Sequence, residues 1–296
     1  VDGAGQAVSM EMKRGDDPVA HVEEGQMKDQ RLKLMEVGLL GFGKTGRAVA
    51  NVLLESKKTS LEWVLRQTSD ADNRNVAEHL GVESDEPGLI FSRSDLGVAE
   101  LLDRYPVDVI IDFSSQSGLS YYLEEARKRK IKVISAVSHY DERRKRALTR
   151  AAKDTLVIYS PNSTLGINFL ICAAEVLQNI APLADIEIIE EHFKGKDETS
   201  GTALRIADEL SLDIDAVKTI RAGGIVGIHE ILFGFPYQTV RLRHESISRE
   251  AFGNGVLFAI DNFPSEDTGF FTFDELLMQQ FCNSAQDMMP SLETRH

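Results

Sequence analysis

A doubly wound parallel α/β sheet, followed by a second α+β domain on a mostly antiparallel sheet, is predicted by three observations. From Leu34 to Tyr159, apolar runs of strand length alternate with segments of helix length. The first of these runs ends in Gly41-Phe42-Gly43-Lys44-Thr45-Gly46 and leads directly into a helix. Beyond Pro161 the strand-like segments succeed one another with few helices between them.

The elements follow in order. Residues 35–40 read as a strand, and 47–57 continue at helical spacing through Val49, Val52, Leu53 and Leu54. A second strand covers 61–65. After a polar stretch come a helix at 96–104, a strand at 107–113, a helix at 119–130, a strand at 131–135, a helix at 142–153 and a strand at 155–159. The architecture of this half is Rossmann-like. Past Pro161 a long apolar helix (167–180) precedes a strand at 185–190, a polar loop containing glycine, and a helix at 202–210. Strand-like segments then fall at 218–222, 230–235, 239–244 and 256–260. Residues 1–30 are poor in large apolar side chains and cannot offset the cost of ordering, so a disordered tail is expected there. Met27 is a candidate native start.

Composition narrows the function. Lys plus Arg number 33 against 47 Asp plus Glu, a net charge of −14 spread along the chain, which disfavours nucleic acid or an anionic membrane as partner. The 296 residues suffice for one large domain or two ordinary ones. Cys172 and Cys282 lie far apart without CxxC spacing, and no His or Cys cluster has ligand spacing, so neither a disulfide framework nor a metal site is expected. With no spanning-length apolar run and no signal-peptide pattern, a soluble protein of the reducing cytoplasm is expected.

Two segments carry chemistry. Gly41, Gly43 and Gly46, between a strand and a helix, permit a tight turn and close backbone approach, while the helix start offers N–H groups to a pyrophosphate. The alternative is that they only shape the turn. The second strand ends in Leu65-Arg66-Gln67; a basic residue there suits the 2′-phosphate of NADP, so NADPH is preferred to NADH, unless Arg66 is an ordinary exposed residue. The other segment runs from Glu190 to Ala203. It sets His192, a side chain able to give or take a proton, four residues from Lys196 and ahead of Ser200-Gly201-Thr202, which opens a helix. Such a helix start can hold a carboxylate; the alternative is that Thr199 or Ser200 only caps the helix and that His192 and Lys196 are solvated loop residues.

Together these segments resemble the dihydrodipicolinate reductase family over about residues 37–277. The most specific match is strand-E-x-H followed by Lys and Ser-Gly-Thr-Ala, at 186–203. Asp112-Phe113-Ser114, the segments 162–168 and 221–229, and His244 to Arg249 support it. The resemblance implies NAD(P)H-dependent reduction of 4-hydroxy-tetrahydrodipicolinate, a small cyclic dicarboxylate of lysine and diaminopimelate biosynthesis. It places His192 as the acid that protonates the substrate carbon, Lys196 as its assistant and a carboxylate ligand, and Ser200, Gly201 and Thr202 as the second carboxylate clamp. Gly41, Phe42, Gly43, Lys44, Thr45, Gly46, Arg66, Phe113, Ser135, Val137 and Asn162 fall on the cofactor side, with Asn162 and Gly166 at the hinge. It also implies a homotetramer formed through the second sheet, and a chain that returns to its first domain. The expected division is a tail over 1–30, a dinucleotide-binding domain over 31–161, a substrate-binding and oligomerisation domain over 162–249, and that return with a C-terminal tail over 250–296.

The departures cluster at the substrate. Phe193 replaces the second histidine of the family's pair, Ser135-Ala136-Val137-Ser138 replaces Gly-Thr-Thr-Gly, and Lys196 stands one residue nearer Ser200, without the usual proline. Losing two polar partners costs a few kcal/mol of binding if nothing compensates. His139 is a candidate replacement donor or an exposed loop residue, and His229 and His244 read as structural. Two other readings stay open: a paralogous reductase of another cyclic imine or unsaturated acid, and a non-catalytic NADP(H)-binding sensor.

Overall fold

The computed structural model describes residues 34–67, 74–84, 88–138 and 140–288. The tail expected over 1–30 lies outside the described residues, as does His139.

Seven strands form one wholly parallel sheet: β1 (Met35–Leu40), β2 (Thr59–Arg66), β3 (Leu89–Ser92), β4 (Val109–Asp112), β5 (Lys132–Ser135), β6 (Leu156–Tyr159) and β11 (Gly269–Thr272). Their order is β11-β6-β5-β4-β1-β2-β3, so the winding reverses between β1 and β4. A sheet covered on both faces needs apolar residues at consecutive positions, as Val109, Ile110 and Ile111 show, all fully buried. Alternation sends Val64, Val109, Ile111 and Ile158 to one face, against helices α1 (Lys44–Glu55) and α8 (Glu250–Asp261). Trp63, Leu65, Ile110 and Val157 go to the other, against α3 (Val98–Arg104), α4 (Leu119–Arg129) and α5 (Glu142–Ala151).

The second sheet has the order β10-β9-β7-β8, from β7 (Asp185–His192), β8 (Val217–Arg221), β9 (Ile228–Phe235) and β10 (Gln238–Glu245). Two of its three pairings are antiparallel, and β7 with β8 is parallel. Ile188, Ile231 and Phe233 pack against α6 (Leu165–Ile180) and α7 (Gly201–Glu209). Asn168 on α6 accepts from Arg205 Nη1 at 2.9 Å, and Arg205 Nη2 reaches Asp274 at 2.6 Å on α9 (Phe273–Met288). The chain thus re-enters the first sheet through β11 while α9 ties back to the second layer.

One expected strand is a helix. Residues 256–260 lie within α8, whose Val256, Ala259 and Ile260 are buried. A five-residue apolar run fits either period, and here it is the face of a helix packed on α1. Two further elements, α2 (Val76–Leu80) and β3, lie in the stretch read as polar, and β11 and α9 were not anticipated.

Candidate active site

The glycine turn sits where the winding of the parallel sheet reverses, the place where nucleotides bind in such sheets. Gly41 has φ +95°, and a Cβ there would lie 2.6 Å from the Phe113 carbonyl group, so the turn needs glycine both for its conformation and for the approach of the loop after β4. Gly43 is the N-cap of α1, makes no side-chain cap, and has nothing within 4 Å of its Cβ position. The first turn of α1 holds no acidic residue, which leaves its positive end for an anion.

A groove of about 310 Å³ at this turn is lined by Gly41, Phe42, Gly43, Arg66, Arg93 and Ser115, among others. Arg66 ends β2, and its carbonyl accepts from Arg93 N at 2.9 Å, so two guanidinium side chains leave adjacent strand ends. A second groove, of about 380 Å³, shares Phe113, Ser114 and Ser115 and continues to Thr45, Val137 and Pro161. Sharing these three residues, the two form one trough along the C-terminal edge of the sheet. Beneath its shared wall Asp112 is fully buried. Ser114 donates to it from its backbone N (2.9 Å) and its Oγ (2.5 Å), and Tyr140 donates at 3.2 Å. Burial pushes this carboxyl above its ordinary range, and those hydrogen bonds oppose the rise.

The second half of the site is on the α7 side of the second sheet. Strand alternation puts Glu190 and His192 on one face, where the His192 Nδ1 meets Glu190 Oε2. His192 is 8 % exposed. Ser200 caps α7, its Oγ accepting from Thr202 N at 3.2 Å, and the same Oγ lies 3.0 Å from His229 Nε2. The His229 and His192 rings are 5.4 Å apart, edge to face. Lys196 is placed by the turn Lys196 N to Phe193 O (3.1 Å) and by its carbonyl, which accepts from Arg221 Nε at 2.8 Å. Phe193 is 46 % exposed and contributes no polar group.

A short path of chain joins the halves. Pro161 lines the trough, and Asn162 Oδ1 accepts from Thr164 N and Oγ1 at 3.1 and 2.9 Å where α6 begins. Gly166 then sits against His244, which faces His229 across β10 and β9.

The structure therefore brings Gly41, Phe42, Gly43, Thr45, Arg66, Phe113 and Val137 to the trough, and His192, Ser200, Gly201, Thr202 and Lys196 to the end of β7 and the start of α7. Lys44 opens α1 beside the turn and lines a neighbouring groove with Arg47 and Arg249, Ser135 is fully buried with its Oγ 3.0 Å from the Tyr140 hydroxyl, Asn162 shapes the junction next to Pro161, and Gly46, within α1, packs on the Gly41 carbonyl too closely for a Cβ. Arg93 belongs to the site although no motif contains it, and Glu190 and Arg221, which stand in the E-x-H motif and at the head of segment 221–229, join it without a role assigned by the sequence.

Residues 35–163 match the family described as dihydrodipicolinate reductase, N-terminus, and residues 164–277 match its C-terminus. The 4-hydroxy-tetrahydrodipicolinate reductase of Caldanaerobacter subterraneus subsp. tengcongensis is 32 % identical over 192 residues, 57 % of this chain and 76 % of that one. That of Nitrosomonas eutropha is 26 % identical over 272 residues, 83 % and 99 % of the two chains. Among solved structures, a dipicolinate-bound dihydrodipicolinate reductase from Paenisporosarcina sp. TG-14 superposes with TM-score 0.69 at 20 % identity, covering 82 % of this chain and 99 % of its own. An amine dehydrogenase from Mycobacterium smegmatis shares the fold at TM-score 0.61 and 11 % identity, covering 82 % and 96 %. With both halves matched and a nucleotide trough at the switch point of its sheet, the chain belongs to the dihydrodipicolinate reductase family and is an NAD(P)H-dependent oxidoreductase.

Proposed function

We propose that this protein reduces 4-hydroxy-tetrahydrodipicolinate to tetrahydrodipicolinate, with NADPH preferred to NADH, in lysine and diaminopimelate biosynthesis. The observation that carries this reading is the pairing of His192 with buried Glu190 beside the Ser200 cap of α7, on a chain that also holds the glycine-turn trough. Gly41, Gly43, Arg66, Phe113 and Thr45 would hold a dihydronicotinamide nucleotide along the trough, and the chemistry it would supply is a hydride for the conjugated ring or imine of the substrate. His192 gives the proton, Lys196 stabilises negative charge as it develops, and Ser200, Gly201 and Thr202 receive a carboxylate at the positive end of α7. Halves divided as 31–161 with 250–296, and 162–249, would close about Pro161 on nucleotide binding.

The assay is oxidation of NADPH, then NADH, with freshly generated substrate. Turnover with NADPH is expected, and tight nucleotide binding with no turnover would end the substrate assignment. The NADPH preference rests on Arg66 and Arg93 at neighbouring strand ends. Arg66→Asp is expected to weaken NADPH binding by about ten- to a hundredfold and leave NADH binding nearly unchanged, since a charge-assisted bond to phosphate is at stake. Equal losses for both nucleotides would remove Arg66 from phosphate recognition.

For assembly we favour a homotetramer through the outer face of the second sheet. Ile220 there is 44 % exposed, and the Glu230–Arg241 ion pair crosses β9 and β10. No described helix is long and apolar enough to cross a membrane, and the free thiols of Cys172 and Cys282 suit a reducing cytoplasm.

A further inference from the structure

Glu190 has no exposed surface, and a buried carboxylate costs several kcal/mol unless it is fully paired. Its Oε1 accepts from Arg221 Nη2 at 2.6 Å, Thr219 Oγ1 at 3.2 Å and Ser200 N at 3.4 Å. The remaining oxygen, Oε2, faces His192 Nδ1. Donors from β8 and from the start of α7 thus fix the carboxylate plane and commit its second oxygen to the imidazole. Arg221 is itself tied to the Lys196 loop, with Nε on Lys196 O at 2.8 Å and Nη2 on Glu198 O at 2.9 Å. One guanidinium therefore holds the partner of His192 and the backbone that carries Lys196.

We propose that Glu190, locked by Arg221, is a positioning residue that commits the Nδ1 proton of His192 to itself and so makes Nε2 the nitrogen presented to the substrate. The inference rests on His192 being the proton donor of the reaction above. An ionised carboxylate only accepts, so Nδ1 donates whether the ring is charged or neutral. The proton given to the substrate carbon comes from Nε2, and the neutral ring left behind keeps its Nδ1–H on Glu190. Burial raises the Glu190 carboxyl, but the hydrogen bonds from Arg221, His192 and Ser200 outweigh it and hold the group at about 2. At Gly227 a Cβ would stand 3.1 Å from His192 Nε2, so glycine keeps the approach to that nitrogen clear.

Glu190→Gln tests this at nearly constant shape. Three donors converge on Oε1, so the amide keeps its carbonyl oxygen there and turns its NH2 towards His192 Nδ1. That nitrogen must then accept, and the ring proton moves to Nε2. Nitrogen-15 spectra of the neutral ring in the full chain should show Nδ1–H in the wild type and Nε2–H in E190Q. In steady state, kcat should fall by at least about 100-fold with KM and NADPH affinity within about threefold, a split that general structural damage does not produce. In the His192→Gln background, adding E190Q should cost no more than about twofold, because nothing remains for Glu190 to position.

An unchanged tautomer in an E190Q protein that binds NADPH normally would overturn the inference, as would full additivity of the two substitutions. If E190Q does not fold, the wild-type spectrum decides alone: a neutral ring protonated at Nε2 overturns it. Because the spectra need no turnover, a wild type that fails to reduce the substrate would overturn the reductase reading without touching the tautomer result.

Discussion

Replacing His192 by Gln is expected to lower kcat by about 10²- to 10⁴-fold, the range spanned by loss of a general acid, with NADPH affinity unchanged. The fold should survive because the glutamine amide can donate to Glu190 Oε2 as the imidazole does, while Arg221, Thr219 and the Ser200 N–H stay on Oε1. No buried carboxylate is left unpaired, which is the usual source of large stability losses at such sites. What the amide lacks is a proton it can release. The residual rate reports what Lys196 and the start of α7 contribute by electrostatics alone. The measurement is kcat and KM with NADPH, beside nucleotide affinity from a fluorescence titration. Turnover within about threefold of the wild type would take His192 out of the mechanism.

The first half of the fold is legible in the sequence because a parallel sheet covered on both faces leaves runs such as Val109 to Ile111, bounded by polar turns. Apart from the 16-residue α9, its missed elements are short: β3 and β11 have four residues each and α2 has five, below the length at which a period shows. The misreading of 256–260 has a different cause. α8 packs against α1 and α6 together, so its apolar residues are not confined to one stripe. Gly253 and Gly255, which lower any helix reading, stand where α8 meets Val52 and the Ser163 carbonyl too closely for a Cβ.

The site divides along the same line. The glycine turn and the 192–202 segment are local in sequence, and their chemistry can be read from spacing. Arg93 follows an unread strand, so nothing in its neighbourhood marked it as a companion of Arg66. Glu190 and Arg221 lie 31 residues apart, and Ser200 and His229 lie 29 apart. Only the registers of β8 and β9 on β7, which set His192 opposite Arg221 and Glu190 opposite His229, bring these groups together. Residue types at a spacing identify a donor, whereas the partners that orient it are set by tertiary pairing.

His229 gives the second large effect, on stability against pH. Burial first, then His192, His244 and Lys196, lower its pKa from 6.5 to about 4, with Glu190 acting the other way. Its Nδ1 is buried without a hydrogen-bond partner among the described residues, so the charged ring, a donor at both nitrogens, would hold a buried N–H with nothing to receive it. Between 6.5 and about 4 the unfolded chain holds a proton at this position that the folded chain does not. Stability therefore falls as the pH drops through that window, by about 1.4 kcal/mol per unit and about 3 kcal/mol across it. Glu190 acts with the same sign lower down, its contribution present above 4.5 and lost as pH falls towards about 2. His229→Gln keeps a hydrogen-bonding side chain near Ser200 and removes the titration. Urea unfolding of both proteins at successive pH values should show the wild type losing about 3 kcal/mol more than the variant between neutrality and pH 4. Parallel stability curves would mean that the folded state accepts the His229 proton as readily as the unfolded chain, and that the two rings beside Ser200 can be charged together.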